Sequence, residues 1–276
     1  MTQSVVISGT GEFIPTDVIS NDELVASFNQ YVETFNQGHA KEIAAGDMTA
    51  LKPSSSDFIE KVSGIKRRHV LSKAPILDPD VMQPVFQTHA DEALSIQAEM
   101  AMKAADMALE NANADAKDVD LVIVACSNFQ RAYPAIAIEV QYALGAQGSA
   151  YDLNVACSSA TFGLRNAFLA VQTGAARSVL VISPEICTAH LNFRDRDSHF
   201  IFGDACSAVL VEAAGFSKSE NQFEMIDVAT KTLFSNNIRN NLGFLSKTES
   251  DVLEDSHNIF SKDRLFVQQG RRVFKD

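Results

Sequence analysis

The sequence predicts an α/β fold whose sheet is covered on both faces, and three observations carry that prediction. Residues 119–125, Val-Asp-Leu-Val-Ile-Val-Ala, make an almost continuous apolar run, as a strand with helices on both sides requires. Residues 90–112 put Leu94, Ala98, Ala101, Ala105, Ala108, Leu109 and Ala112 on one side of a helix, and Glu99, Lys103, Asp106 and Glu110 on the other. Strand-like and helix-like stretches then alternate as far as residue 212, the beat of a layered α/β sheet.

Taken in order, residues 4–11 read as a buried strand ended by Gly9 and Gly11, and Ser20, Asn21, Asp22 and Glu23 offer caps for a short helix. From 29 to 57, and again from 72 to 88, glycine, proline, serine and charge interrupt any period, so both stretches read as partly helical excursions from the core. After strand 119–125 come a loop, a helix over 136–144, a short strand ending near Val155 and a buried helix over 157–173 rich in Phe162, Leu164, Phe168 and Val171. Strands at 178–183 and 206–212 follow, the second after a Phe202-Gly203-Asp204 turn. Past Gly215 a fresh unit opens, with a strand candidate at 223–230, a polar loop and a helix beginning near Lys262.

Bulk properties narrow the function. A chain of 276 residues, 46% hydrophobic, holds a sizeable core and is not disordered. Four cysteines without paired spacing, no leader-like N-terminus and no bilayer-length apolar run predict a reduced, cytoplasmic protein without disulfides. A net charge of −12 argues against nucleic-acid binding, which needs surplus Lys and Arg.

The chemistry concentrates at Cys157. In Tyr151-Asp152-Leu153-Asn154-Val155-Ala156-Cys157-Ser158-Ser159-Ala160 a strand runs into a helix with the thiol at the junction. Unpaired N–H groups at a helix N-terminus favour thiolate over thiol, the physical route to a nucleophile. A buried, inert cysteine is the competing reading, and it is the better one for Cys126, Cys187 and Cys206, in or beside apolar strands. Six scattered histidines lack metal-ligand spacing; His199 is the one nearest the Ile201-Phe202-Gly203-Asp204 segment and reads as a packed or solvated loop residue. Gly9-Thr10-Gly11 lacks the third glycine of a dinucleotide fingerprint, and neither a Gly-x-Ser-x-Gly elbow nor a P-loop is present.

Several segments together resemble the ketoacyl-acyl-carrier-protein synthase III family of thiolase-fold condensing enzymes. They are Gly9-Thr10-Gly11-Glu12-Phe13-Ile14-Pro15, Gly64-Ile65-Lys66-Arg67-Arg68-His69, Ala132-Tyr133-Pro134, Leu144-Gly145, the Cys157 segment and Ile201-Phe202-Gly203-Asp204. The extra residues at 29–57 and 72–88 are similar to those of the longer β-ketodecanoyl-acyl-carrier-protein synthase branch. The resemblance implies residues 1–214 as the N-terminal half of the fold and 215–276 as the start of the second, unfinished here. It implies that Cys157 takes an acyl group from acyl-CoA, after which malonyl-acyl-carrier-protein loses carbon dioxide and its carbanion attacks the acyl-cysteine; a thiol both attacks a thioester and leaves readily.

By the same resemblance Phe58 and Lys66 hold the CoA adenine and phosphates, with a smaller ring and a less directional cation than the tryptophan and arginine common there. Tyr133 closes the acyl pocket of a neighbouring subunit, Ser127 and Phe202 line pockets, and a homodimer forms through the sheet bearing the cysteine strand. No metal or redox cofactor is implied, the thioester carriers being substrates. Lys66-Arg67-Arg68 is a candidate contact for CoA phosphates or an acidic carrier protein, and Arg271 with Arg272 and Lys275, along one helix edge, for an acidic carrier protein, against the plain reading of solvated basic runs. The histidine and asparagine the family uses for decarboxylation are missing, for no His-Gln-Ala-Asn-like run occurs. Two other functions therefore stand beside the condensing enzyme: a same-fold acyltransferase with another acceptor, and a non-catalytic partner of a complete synthase.

Overall fold

The computed structural model describes residues 3–87, 89–90 and 92–241 and the backbone of 266–268. In chain order its elements are β1 (Val5–Phe13), β2 (Asp17–Ser20), α1 (Asn21–Gly38), α2 (Ala40–Ala45), α3 (Ser56–Ser63), β3 (Arg67–Val70), α4 (Lys73–Leu77), α5 (Ile96–Ala112) and β4 (Leu121–Ala125). Then follow α6 (Ile136–Leu144), β5 (Ser149–Leu153), α7 (Ser159–Gln172), β6 (Ser178–Ile186), β7 (Asp204–Ala213), β8 (Phe223–Glu224), β9 (Ile238–Asn240) and β10 (Phe266–Gln268). They divide into two compact units interleaved along the chain, one of residues 1–14, 87–186 and 205–231, the other of 15–86, 187–204 and 232–276.

The first unit is built on a six-stranded sheet in the order β5-β4-β6-β7-β1-β8. Strand β4 pairs parallel with β5 and β6, whereas β1 runs antiparallel to β7 and β8, so the sheet is mixed. Val122, Ile123, Val124 and Ala125 of β4 are all fully buried, as the continuous apolar run requires of a strand covered on both faces. Helix α5 lies directly on β1. A Cβ at Gly9 would stand 2.1 Å from the Ala108 carbonyl oxygen, and one at Gly11 would stand 2.1 Å from the Ala104 carbonyl oxygen. Only glycine permits that approach.

Helix α7 is not buried all round, as its apolar sequence suggested. Its inner face is Ser159, Gly163, Ala167, Phe168 and Val171, while Phe162 and Leu164 are half-buried. The small residues sit where the helix is closest to the sheet: a Cβ at Gly163 would lie 2.8 Å from Val181 Cγ1 and 3.0 Å from the Ala125 Cβ.

The second unit has its own core of Ile19, Leu24, Phe28, Val32, Ile59, Val70, Ile76, Met82, Leu191, Phe193 and Phe200. Strand β2 pairs with β3, and α1 starts on a capping box in which Ser20 Oγ accepts from Glu23 N while the Glu23 carboxylate accepts from Ser20 N. This helix runs 18 residues to Gly38 and α2 follows it at Ala40–Ala45, so the first part of the predicted excursion over 29–57 is helical. The excursion over 72–88 contains the single turn α4. Only Phe223–Glu224 of the strand candidate at 223–230 is a strand. The helix expected from Lys262 is contradicted where the backbone is described, for Phe266–Gln268 is strand β10, paired antiparallel with β9, and its aromatic and β-branched residues suit a strand; Arg271, Arg272 and Lys275 lie outside the described residues. No helix of the described residues is long and apolar enough to cross a membrane.

Candidate active site

Strand β5 delivers the chain to a tight elbow, residues 154–158, before α7 begins at Ser159. Ala156 has φ +49°, in the left-handed region that is unfavourable for a residue with a Cβ. Its conformation is held from several sides. Ser159 N and Ser159 Oγ both lie within hydrogen-bond reach of the Ala156 carbonyl, at 3.0 and 2.7 Å, and Ser159 Oγ accepts from Val155 N at 2.8 Å. Ser158 N donates to Val155 O at 3.1 Å. The turn leaves Cys157 exposed, one residue before the helix N-cap Ser158.

The other cysteines have different surroundings. Cys126 and Cys206 are buried, and burial pushes both thiols well above the usual range, so each behaves as a small hydrophobe; Cys187 is half-buried.

Ser127 lies two residues past the end of β4, and the Glu185 carboxylate holds it by accepting from Ser127 N at 2.8 Å and Ser127 Oγ at 2.5 Å. Its carbonyl in turn accepts from Asn154 Nδ2 at 2.8 Å, which ties the loop after β4 to the cysteine elbow. Farther along this loop, buried Gln97 donates to the Asn128 carbonyl at 2.7 Å and the Pro184 carbonyl at 3.1 Å, and accepts from Gln130 N at 2.6 Å. Arg131 pairs with Glu139, which also accepts from Ser95 N and Ser95 Oγ. Tyr133, joined to Pro134 by a cis peptide bond, projects from this braced loop at 84% exposure.

Asp152 on β5 braces the next element. Its two oxygens accept from Ile136 N and Ala137 N at 2.9 and 2.8 Å, taking the place of a side-chain cap at the N-terminus of α6, where the N-cap residue is Ala135. Burial raises its pKa against the pull of those two amides.

Phe58, Lys66 and Phe202 belong to the second unit. Phe58, on α3, packs on that unit's core with the Phe200 ring edge-on at 6.0 Å. The cation over its face is Arg196, whose guanidinium carbon is 4.2 Å from the ring centroid while Nε donates to the Pro53 carbonyl at 2.8 Å. Lys66 is exposed and paired with Glu60 at 3.1 Å. Phe202 is half-buried on the same core, 6.2 Å from the His190 ring. His199 is buried and stacked on Phe28 at 4.6 Å, the packed alternative of the two expected for it.

The structure thus joins Ser127 to the Cys157 elbow within one unit; in the other, Phe58 and Phe202 pack on the same core while Lys66 lies at the surface against Glu60. Sequence reasoning missed Asn154, Glu185, Gln97 and Arg196. The signals were a polar side chain at each end of an apolar strand, a glutamine within the buried stripe of α5, and the charged run Arg194-Asp195-Arg196-Asp197 before Phe200. Among the described residues no group of three His, Cys, Asp or Glu side chains could hold a metal ion.

Residues 151–241, which include the cysteine elbow, match the family model described as 3-oxoacyl-[acyl-carrier-protein (ACP)] synthase III. The chain is 57% identical over 250 residues to the β-ketodecanoyl-[acyl-carrier-protein] synthase of Pseudomonas aeruginosa, covering 91% of this chain and 70% of that protein. Among solved structures, 3-oxoacyl-[acyl-carrier-protein] synthase III from Aquifex aeolicus superposes with TM-score 0.55 at 27% identity, over 79% of this chain and 55% of that one. The corresponding synthase III from Pseudomonas aeruginosa gives TM-score 0.66 at 21% identity over 99% of this chain and 66% of that one, a likeness of fold. The chain belongs to the β-ketoacyl-[acyl-carrier-protein] synthase III family of thiolase-fold condensing enzymes, on the branch of the β-ketodecanoyl-[acyl-carrier-protein] synthase.

Proposed function

We propose that this chain accepts an acyl group from acyl-CoA on Cys157, the first step of a decarboxylative condensation with malonyl-acyl-carrier-protein in fatty-acid biosynthesis. The observation that carries the reading is the exposed thiol on a strained strand-to-helix elbow, inside the segment that matches the family model. The Cys157 sulfur adds to the thioester carbonyl. The tetrahedral intermediate collapses with cleavage of the bond to the CoA sulfur, and CoA leaves as a thiolate that is then protonated. Condensation would follow when the malonyl thioester loses carbon dioxide and its carbanion attacks the acyl-cysteine, returning the Cys157 thiolate.

The Phe58 ring with Arg196 over it offers a flat, cationic surface suited to the CoA adenine and its phosphates, with Lys66 on the same unit. Ser127 in the one unit and Phe202 in the other are each assigned as pocket-lining residues, and Tyr133 to the pocket of a second subunit in a homodimer. We read residues 1–214 as the half of the fold that carries the nucleophile and 215–276 as the opening of the other half. We assign the protein to the cytoplasm, where free thiols stay reduced.

Intact mass after incubation with acetyl-, octanoyl- and palmitoyl-CoA tests the first step. One acyl adduct, lost in Cys157→Ser, is expected. A folded chain that gains no acyl mass with any of the three, or a Cys157→Ser variant that still gains it, rules the reading out.

A further inference from the structure

The hydrogen bonds around the elbow assign a role to a side chain on the nucleophile's own segment. We infer that Asn154 is a positioning residue that fixes Cys157 by tying the elbow to the loop after β4, with Glu185 anchoring that loop; this rests on the reading of Cys157 as the acyl acceptor.

Asn154 stands between the last residue of β5 and the strained Ala156. Its amide faces two ways. Nδ2 donates to the Ser127 carbonyl at 2.8 Å, and Oδ1 accepts from Ala156 N at 2.9 Å. The peptide groups of Ala156 are therefore held at both ends, the N–H by Asn154 and the carbonyl by Ser159. A left-handed residue with a Cβ persists only where its surroundings over-determine it, and the Cys157 backbone follows at the next bond. The far side of the tie is equally firm, because Ser127 is gripped by both oxygens of Glu185. A continuous path, Glu185 to Ser127 to Asn154 to Ala156, thus ends at the nucleophile.

The arrangement needs one donor and one acceptor on the same short side chain. Asparagine supplies both, whereas an ionised aspartate of the same size supplies acceptors only and would set an oxygen against the Ser127 carbonyl. Alanine supplies neither. Once Asn154 is lost, the elbow is free to relax toward ordinary backbone angles and the sulfur moves with it. A misplacement of ~1 Å in a reacting group costs up to about a hundredfold in rate.

A purely structural role would lower stability alone. A positioning role lowers the rate per folded molecule and leaves acyl-CoA binding unchanged. The test follows acyl transfer to Cys157 by time-resolved intact mass over a range of octanoyl-CoA concentrations, with the folded fraction of each variant measured by thermal melting. In Asn154→Ala the saturating rate is expected to fall at least about tenfold, with the half-saturating concentration within about twofold of the starting protein. Asn154→Asp, which keeps only the bond to Ala156, is expected to fall less. Asn166→Ala, an asparagine in the body of α7 outside this path, is expected to leave the rate unchanged.

An Asn154→Ala chain that acylates at the original rate overturns the inference, as does a loss confined to the half-saturating concentration. Should that variant fail to fold, Asn154→Asp decides: a fall of the saturating rate of at least about threefold with the half-saturating concentration within about twofold upholds the inference, and a smaller change overturns it. If the starting protein accepts no acyl group, the proposed function fails separately. The rate of Cys157 alkylation by iodoacetamide, read from the modified peptide, then takes over: a fall of at least about fivefold in the folded variant upholds the inference, and an unchanged rate sinks it.

Discussion

Cys157 and His199 are both chemically capable side chains, and their surroundings separate them. The thiol is exposed on an elbow, while the imidazole is enclosed and stacked on Phe28, so burial pushes its pKa down to about 4. The folded protein therefore holds His199 neutral, whereas the unfolded chain titrates it near the ordinary value of about 6.5. Between those two values the unfolded state binds the extra proton, so stability is complete above pH ~6.5 and falls as pH drops toward about 4. For this one side chain the loss by pH 4.5 is about 2–3 kcal/mol. His190, also lowered to about 4 by burial, adds in the same direction. Urea unfolding at pH 7 and pH 4.5 should show a smaller acid loss in His199→Phe than in the starting protein; equal losses in the two would contradict the burial account. The position of the Cys157 thiol between a strand and a helix was legible in the sequence, because that junction has a local signature. Its supports did not have one: Glu185 lies 58 residues from Ser127 in the chain and reaches it only once β4 and β6 pair.

At the scale of elements, the α/β beat was readable because each strand and helix in the first unit has its own periodicity. Helix α5 starts at Ile96 rather than residue 90, where the Ser95 side chain accepts from Ala98 N and acts as the cap. The long α1 was underestimated for a different reason. Its buried Leu24, Phe28 and Val32 have helical spacing, but the polar residues between them resemble a loop unless the distant Ile59, Phe193 and Phe200 that cover the stripe are in view. The glycines of β1 were read as the end of a strand and instead mark where α5 touches it. In Gly11→Ala the new methyl would meet the Ala104 carbonyl oxygen at 2.1 Å and the Ala108 amide nitrogen at 2.6 Å. Backbone cannot swing aside as a side chain does, so strand and helix must part. Overpacking of this kind costs about 1–3 kcal/mol or more, and each kcal/mol lowers the melting temperature of a chain this size by about 2–4 °C. An unchanged melting temperature in Gly11→Ala would mean that β1 and α5 are not in the contact described.

For the whole molecule, β5 and the net charge act in opposite directions. Strand β5 forms one edge of the six-stranded sheet, with Tyr151 37% exposed and, among Ser149–Leu153, no lysine or proline to discourage another strand from pairing. The nearby α6 carries an exposed Tyr142. These features favour the homodimer proposed above, in which two copies pair along this edge. Each copy carries a net charge of −12, and bringing two together is opposed by long-range repulsion. Salt screens that repulsion, shortening the Debye length from about 10 Å at 0.1 M to about 3 Å at 1 M, while apolar and backbone contacts at the edge are little affected. Association should therefore strengthen as salt rises, the reverse of an interface held by surface ion pairs. Sedimentation velocity at about 0.1 M and 1 M salt should show a larger dimer fraction at the higher value. Tyr151→Lys, which places a like charge from each copy at the shared edge, should shift the population toward monomer and make it more salt-sensitive. A dimer that dissociates on adding salt would assign the contact to charged residues elsewhere, and a Tyr151→Lys chain that associates as before would remove β5 from the interface.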